Sequence, residues 1–118
     1  MEFKRDKVLG GKTYSVKMNC GSLSFTFNYQ EDKLVEIFGV IGKSGVCPHT
    51  LLDSWCKVVS CYLQSPEPRY KIIKKFNKQF VGMPACEMNK FTFEEKEYTS
   101  CVDIITQKII EELEKQIE

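Results

Sequence analysis

The sequence predicts an α+β fold, with a three- to four-stranded antiparallel sheet and about three helices packed mainly on one face. Three observations carry this expectation. Apolar residues alternate with period two from Lys12 to Ile41, they recur at three and four residues after Pro48, and glycine or proline breaks separate the stretches. A chain of 118 residues holds one continuous core, so residues 1–118 are expected to form a single domain.

Taken in order, TYSVK, SLSFTFNY and LVEIFGVI read as three strands, with Gly10-Gly11, Cys20-Gly21 and Gln30-Glu31-Asp32 as the breaks. Leu23, Phe25 and Phe27 share one face of the second strand and Ser22, Ser24, Thr26 and Asn28 the other, as in a sheet covered on one side. After GKSG, residues Leu51, Leu52, Trp55, Val58, Val59 and Tyr62 describe an amphipathic helix from about His49 to Leu63, with Pro48 suited to its first turn. Ser65-Pro66-Glu67-Pro68 ends it, because neither proline donates a hydrogen bond and Pro68 restricts the residue before it. A second helix begins near Arg69, burying Ile72, Ile73, Phe76 and Phe80 and carrying Lys71, Lys74, Lys75 and Lys78 on its opposite face. Phe91-Thr92-Phe93 is a short strand and residues 94–97 a turn. The last helix starts at Thr99 or Ser100, where Ser100 and Asp103 fit a capping box, and Val102, Ile105, Ile109 and Leu113 form its inner face.

Apolar residues are 42% and charged residues 28% of the chain, the balance of a folded globular protein. No apolar run approaches the roughly 20 residues that span a bilayer, and MEFKRDK leads into no signal-peptide hydrophobic region. The expected location is the cytoplasm, with no membrane partner. A net charge of +1 provides no global field for nucleic acid, so none is expected as a partner. The basic start (Lys4, Arg5, Lys7, Lys12, Lys17) and acidic end (Glu111, Glu112, Glu114, Glu118) read as solvated faces.

Catalytic signatures are lacking. His49 is the sole histidine, so any Cys-His or Ser-His chemistry must use it, and no GxSxG motif is present. GKSG and GGKT each hold a Gly-Lys pair without completing a phosphate-binding P-loop, which argues against nucleotide hydrolysis. Gly42, Lys43, Ser44 and Gly45 lead into a helix, so free N–H groups and one lysine can hold a phosphate there. The alternative is a tight strand-to-helix turn that needs glycine for conformation alone.

Six cysteines in a chain expected to be cytoplasmic point to reduced thiols or metal ligands rather than disulfides. Cys56 and Cys61 lie within the first helix, in or near its buried side, and read as packing. Cys20, Cys47, Cys86 and Cys101 fall at element boundaries, where four thiols can converge on one structural zinc. Without a CxxC knuckle, spacing alone is weak support.

The segments CGSLSFTFN (residues 20–28), GKSGVC (residues 42–47), the lone Cys86 and TSCVD (residues 99–103) together resemble the TSCPD domain family, in the family's order over residues 12–115. That family includes small stand-alone proteins and the C-terminal extension of adenosylcobalamin-dependent ribonucleotide reductases. The resemblance implies a metal role for Cys20, Cys47, Cys86 and Cys101. Val102 departs from the pattern, standing where the family motif has proline. No reductase catalytic domain is present, so the expected function is a non-catalytic module, with a four-cysteine zinc site, that binds a nucleotide or other small phosphorylated ligand, or a nucleotide-handling protein. Two alternatives stand beside it: a stand-alone viral or bacterial oligomer that sequesters a small cyclic or phosphorylated nucleotide signal, and a thiol redox partner working by Cys-Cys exchange. Uncovered sheet surfaces predict a homo-oligomer, a dimer first.

Overall fold

The computed structural model describes residues 3–18, 21–42, 47–84 and 90–117. Three antiparallel strands, β1 (Gly10–Met18), β2 (Gly21–Gln30) and β3 (Lys33–Ile41), form a sheet in the order β1-β2-β3. Its register pairs Tyr14 with Phe25, Val16 with Leu23, Phe27 with Ile37 and Leu23 with Ile41, so the large apolar side chains fall on one face. Leu23, Phe25, Phe27 and Ile37 are buried there, while the other face presents Thr13, Thr26, Phe38 and Val40, with Phe38 and Val40 exposed. A two-residue turn with positive φ at Glu31 and Asp32 joins β2 to β3, and a bulge between Asn28 and Tyr29 shifts the pairing into that register.

Helix α1 (Cys47–Leu63) starts two residues ahead of the expected boundary and covers β3. It approaches closely at Gly39, where a Cβ would sit 3.1 Å from both Cys56 Sγ and Leu52 Cδ2. It also closes the sheet edge: Ser60 Oγ accepts the Ile37 N–H at 2.9 Å, and Gln64 donates to the Val35 carbonyl at 3.1 Å. An uncovered edge would leave those backbone groups without partners. Helix α2 (Arg69–Gln79) begins after Pro68 as the prolines require, buries Ile72 and Phe76, and packs on α3 (Cys101–Lys115). Ring contacts of Trp55 with Phe80 and of Tyr62 with Phe76 join it to α1.

The irregular stretch after α2 departs from expectation. Phe91–Phe93 is a strand, β4, but it pairs with a second short strand, β5 (Lys96–Tyr98), rather than joining the main sheet. The turn is confined to Glu94 and Glu95, again both at positive φ. Phe91 and Tyr98 bury their rings under this hairpin and Phe93 meets Tyr14 edge-on, which carries the hairpin to the β1 side of the core.

Two helical faces also differ from the sequence reading. In α1 the buried row is Leu52, Cys56, Val59 and Leu63, whereas Leu51 and Val58 are 70% and 68% exposed. Cys61 is exposed rather than near the buried side. In α3 the inner face is Ile104, Ile105, Ile109 and Leu113, with Val102 only half-buried. Among the described residues, no helix is long and apolar enough to cross a membrane.

Candidate functional site

Cys101 opens α3, and its surroundings are built by the TSCVD segment. Ser100 is the N-cap: its Oγ accepts the Asp103 N–H at 3.0 Å and donates to the Met83 carbonyl at 2.6 Å. Thr99 Oγ1 lies 3.0 Å from the same carbonyl. The capping box takes a variant form. Asp103 reaches back past the cap residue, so that its Oδ2 accepts the Thr99 N–H at 2.9 Å, while its Oδ1 accepts the Gly82 N–H at 2.6 Å and the Gln107 side-chain amide at 2.9 Å. Burial pushes the Asp103 carboxyl up, and the hydrogen bonds from Gln107, Gly82 and Thr99 outweigh it, holding the group below its ordinary range. The motif thus pins the backbone at residues 82 and 83 to the start of α3, beside Cys101.

The neighbours of the other expected ligands come to the same end of the sheet. Gly42 donates its N–H to the Ser22 carbonyl at 3.2 Å, tying the end of β3 to the start of β2. Ile41, Leu51, Leu52, Trp55, Cys101 and Val102 line one cavity of 350 Å³, so the end of β3 and the starts of α1 and α3 face a shared space. Cys47 is the first residue of α1. His49 follows two residues later, half-buried, its Nδ1 without a hydrogen-bond partner among the described residues.

Of the expected ligands, Cys101 is half-buried at this cavity and Cys47 is placed by its backbone. Cys20 and Cys86 lie outside the described residues, as do Lys43, Ser44 and Gly45 of the expected phosphate turn. Gly42 is described, with φ of 60°, a left-handed conformation that favours glycine. No three His, Cys, Asp or Glu side chains gather in metal-binding geometry among the described residues. Cys56 has its thiol pushed up to about 12, by burial first and by Asp53 and Cys101 after it. A buried thiol of that kind is an inert packing group, as its place in the sequence suggested.

The Thr99–Met83 and Asp103–Gly82 bonds escape sequence reading, since their partners lie 16 and 21 residues away and no periodicity links them. A TSCPD domain model matches residues 1–113 of the 118-residue chain. No curated protein matches the chain. No solved structure matches it either.

Proposed function

The chain belongs to the TSCPD domain family, and from that membership we propose a non-catalytic binding module with two parts at one end of the fold: a structural zinc on Cys20, Cys47, Cys86 and Cys101, and a phosphate-binding turn at residues 42–45. The observation that carries the reading is the convergence of the described flanks of all four cysteines. Ser22, two residues from Cys20, bonds to Gly42; Cys47 opens α1, whose Leu51 and Leu52 share a cavity with Cys101 and Val102 at the start of α3; and Met83, three residues from Cys86, bonds to Ser100. Four thiolates suit zinc by softness and leave no open position, so the ion would tie the loops together without doing chemistry. Residues 42–45 lead from β3 toward α1, and the first N–H groups of a helix, which have no intrahelical acceptor, together with the charge of Lys43 would favour an anion such as the phosphate of a nucleotide. In this reading self-association uses the free edge of β1, since α1 already closes that of β3.

Metal analysis of the purified chain is expected to find one zinc per chain, and Cys101→Ser to lower the thermal midpoint. Calorimetry against nucleotides and cyclic nucleotides should find a ligand whose affinity falls at least roughly tenfold in Lys43→Ala, with the midpoint nearly unchanged, since one charged contact to phosphate is worth on the order of 1.5–3 kcal/mol. Substoichiometric zinc with titratable thiols would replace the metal reading with a thiol redox role. Equal binding by Lys43→Ala, or no nucleotide bound, would reduce the turn to a conformational one.

A further inference from the structure

The groove between α1 and α2 adjoins the cavity beside Cys101, with which it shares Trp55. Trp55, Val58, Tyr62, Phe76 and Phe80 line a largely apolar cavity of 250 Å³, to which Lys75 and Gln79 also contribute. On α1 the outward residues Leu51, Trp55, Val58 and Tyr62 follow one another at four, three and four residues, the spacing of a seam that receives another helix. Leu51 and Val58, more than two-thirds exposed, are the parts of that seam the fold leaves unburied. We propose that this groove is a docking site for an acidic amphipathic helix of another protein.

Charge decides the occupant. Helix α2 carries Arg69, Lys71, Lys74, Lys75 and Lys78 and no acidic residue. Lys75 Nζ sits 5.7 Å over the Tyr62 ring at the groove mouth, and Lys71 and Lys78 follow at i−4 and i+3 on the solvent side. The acidic groups nearby are already engaged, Asp53 with Lys57 at 2.9 Å and Glu67 with Lys75 at 3.9 Å. Symmetric pairing through this groove would set one lysine-rich surface against its own copy, where like charges oppose association. A helix with apolar residues at i, i+4 and i+7 and glutamates beside them fits both the seam and the rim.

Trp55 is the chain's sole tryptophan and lines both the groove and the cavity beside Cys101, so its emission reports on both, and Val58, which lines the groove and not that cavity, tells them apart. The probes are two synthetic helical peptides with leucine at i, i+4, i+7 and i+11, one with glutamate and the other with lysine at the remaining positions. The glutamate peptide is expected to shift Trp55 emission saturably and to bind more weakly as salt rises, because the rim charges are exposed and screened. The lysine peptide should leave the emission unchanged. Val58→Asp, at an exposed position, should abolish the saturable shift, and Lys71→Glu with Lys75→Glu should weaken the glutamate peptide by about tenfold or more. Equal binding of the two peptides, or no saturable shift with either, overturns the proposal. So does a concentration-dependent dimer in sedimentation that Val58→Asp dissolves, which would assign the groove to a second copy.

Discussion

Asp103 shows how much one side chain can organise. It is 2% exposed, and its two oxygens accept from the backbone N–H groups of Gly82 and Thr99 and from Gln107, so a loop, a helix cap and the helix body meet on one carboxylate. Asn at this position keeps the volume but faces at least one N–H donor with its own NH₂. Asp103→Asn is expected to cost about 1–3 kcal/mol, read as a fall in the urea midpoint. The pH dependence has a definite sign. Asp103, Glu36 and Glu112 are each held below their ordinary values of 3.8, 4.5 and 4.5. Groups depressed in the folded state stabilise it above the unfolded pKa, and that contribution is lost as pH falls through the folded pKa. Stability should therefore be flat at neutral pH and drop below the ordinary carboxylate range, and the drop should be shallower in Asp103→Asn. An unchanged acid profile in the variant would show that Asp103 is not among the linked groups. The cap itself was legible, because Ser100 and Asp103 stand three apart before an apolar row. The clasp onto residues 82 and 83 was not, because its partners are distant in sequence.

Among the elements, long periodic ones declare themselves and short ones do not. Three strands of nine or ten residues show enough alternation to be read directly, and α2 follows from Pro68 and a single apolar stripe. Three-residue strands such as β4 and β5 hold barely one repeat of the pattern, so their pairing into a separate hairpin was hidden. In α1 two apolar rows stand one residue apart: Leu52, Cys56, Val59 and Leu63 inside, Leu51, Trp55, Val58 and Tyr62 outward. Periodicity alone merged them into one face. Both hairpins place two acidic residues at positive φ, Glu31-Asp32 and Glu94-Glu95, where asparagine and glycine fit with less strain. Replacing Glu94-Glu95 by Asn-Gly is expected to raise stability by about 0.5–1 kcal/mol, measured as a higher urea midpoint without a change in slope. A lower midpoint would mean that the Glu94–Lys108 pair, 3.4 Å apart, outweighs the relief of backbone strain.

At the scale of the whole molecule, α3 links two differently built ends. Fifteen helical residues reach roughly 22 Å, from Cys101 at the cysteine end to Glu112 and Lys115 near the other. There Glu112, though buried, accepts from Tyr29 Oη at 2.5 Å and pairs with Lys12 at 3.2 Å and Lys115 at 3.0 Å, a latch between α3, β1 and β2 made of side chains alone. Burial first, and then Glu112, pushes the Tyr29 phenol far above its ordinary range, so this latch keeps its charge pattern through neutral pH. The cysteine end is tied, among the described residues, by the Gly42–Ser22 bond and the bonds of the TSCVD segment. If a zinc completes that end, as proposed, removing it should loosen one end and spare the other. Hydrogen exchange after chelation is expected to lose protection at Gly42, at residues 82 and 83 and in the first turns of α1 and α3, with little change around Tyr29 and Leu34. Uniform loss across the sheet would make the ion essential to the whole fold rather than to one end. Exchange that does not change in either place would count against a zinc on these cysteines.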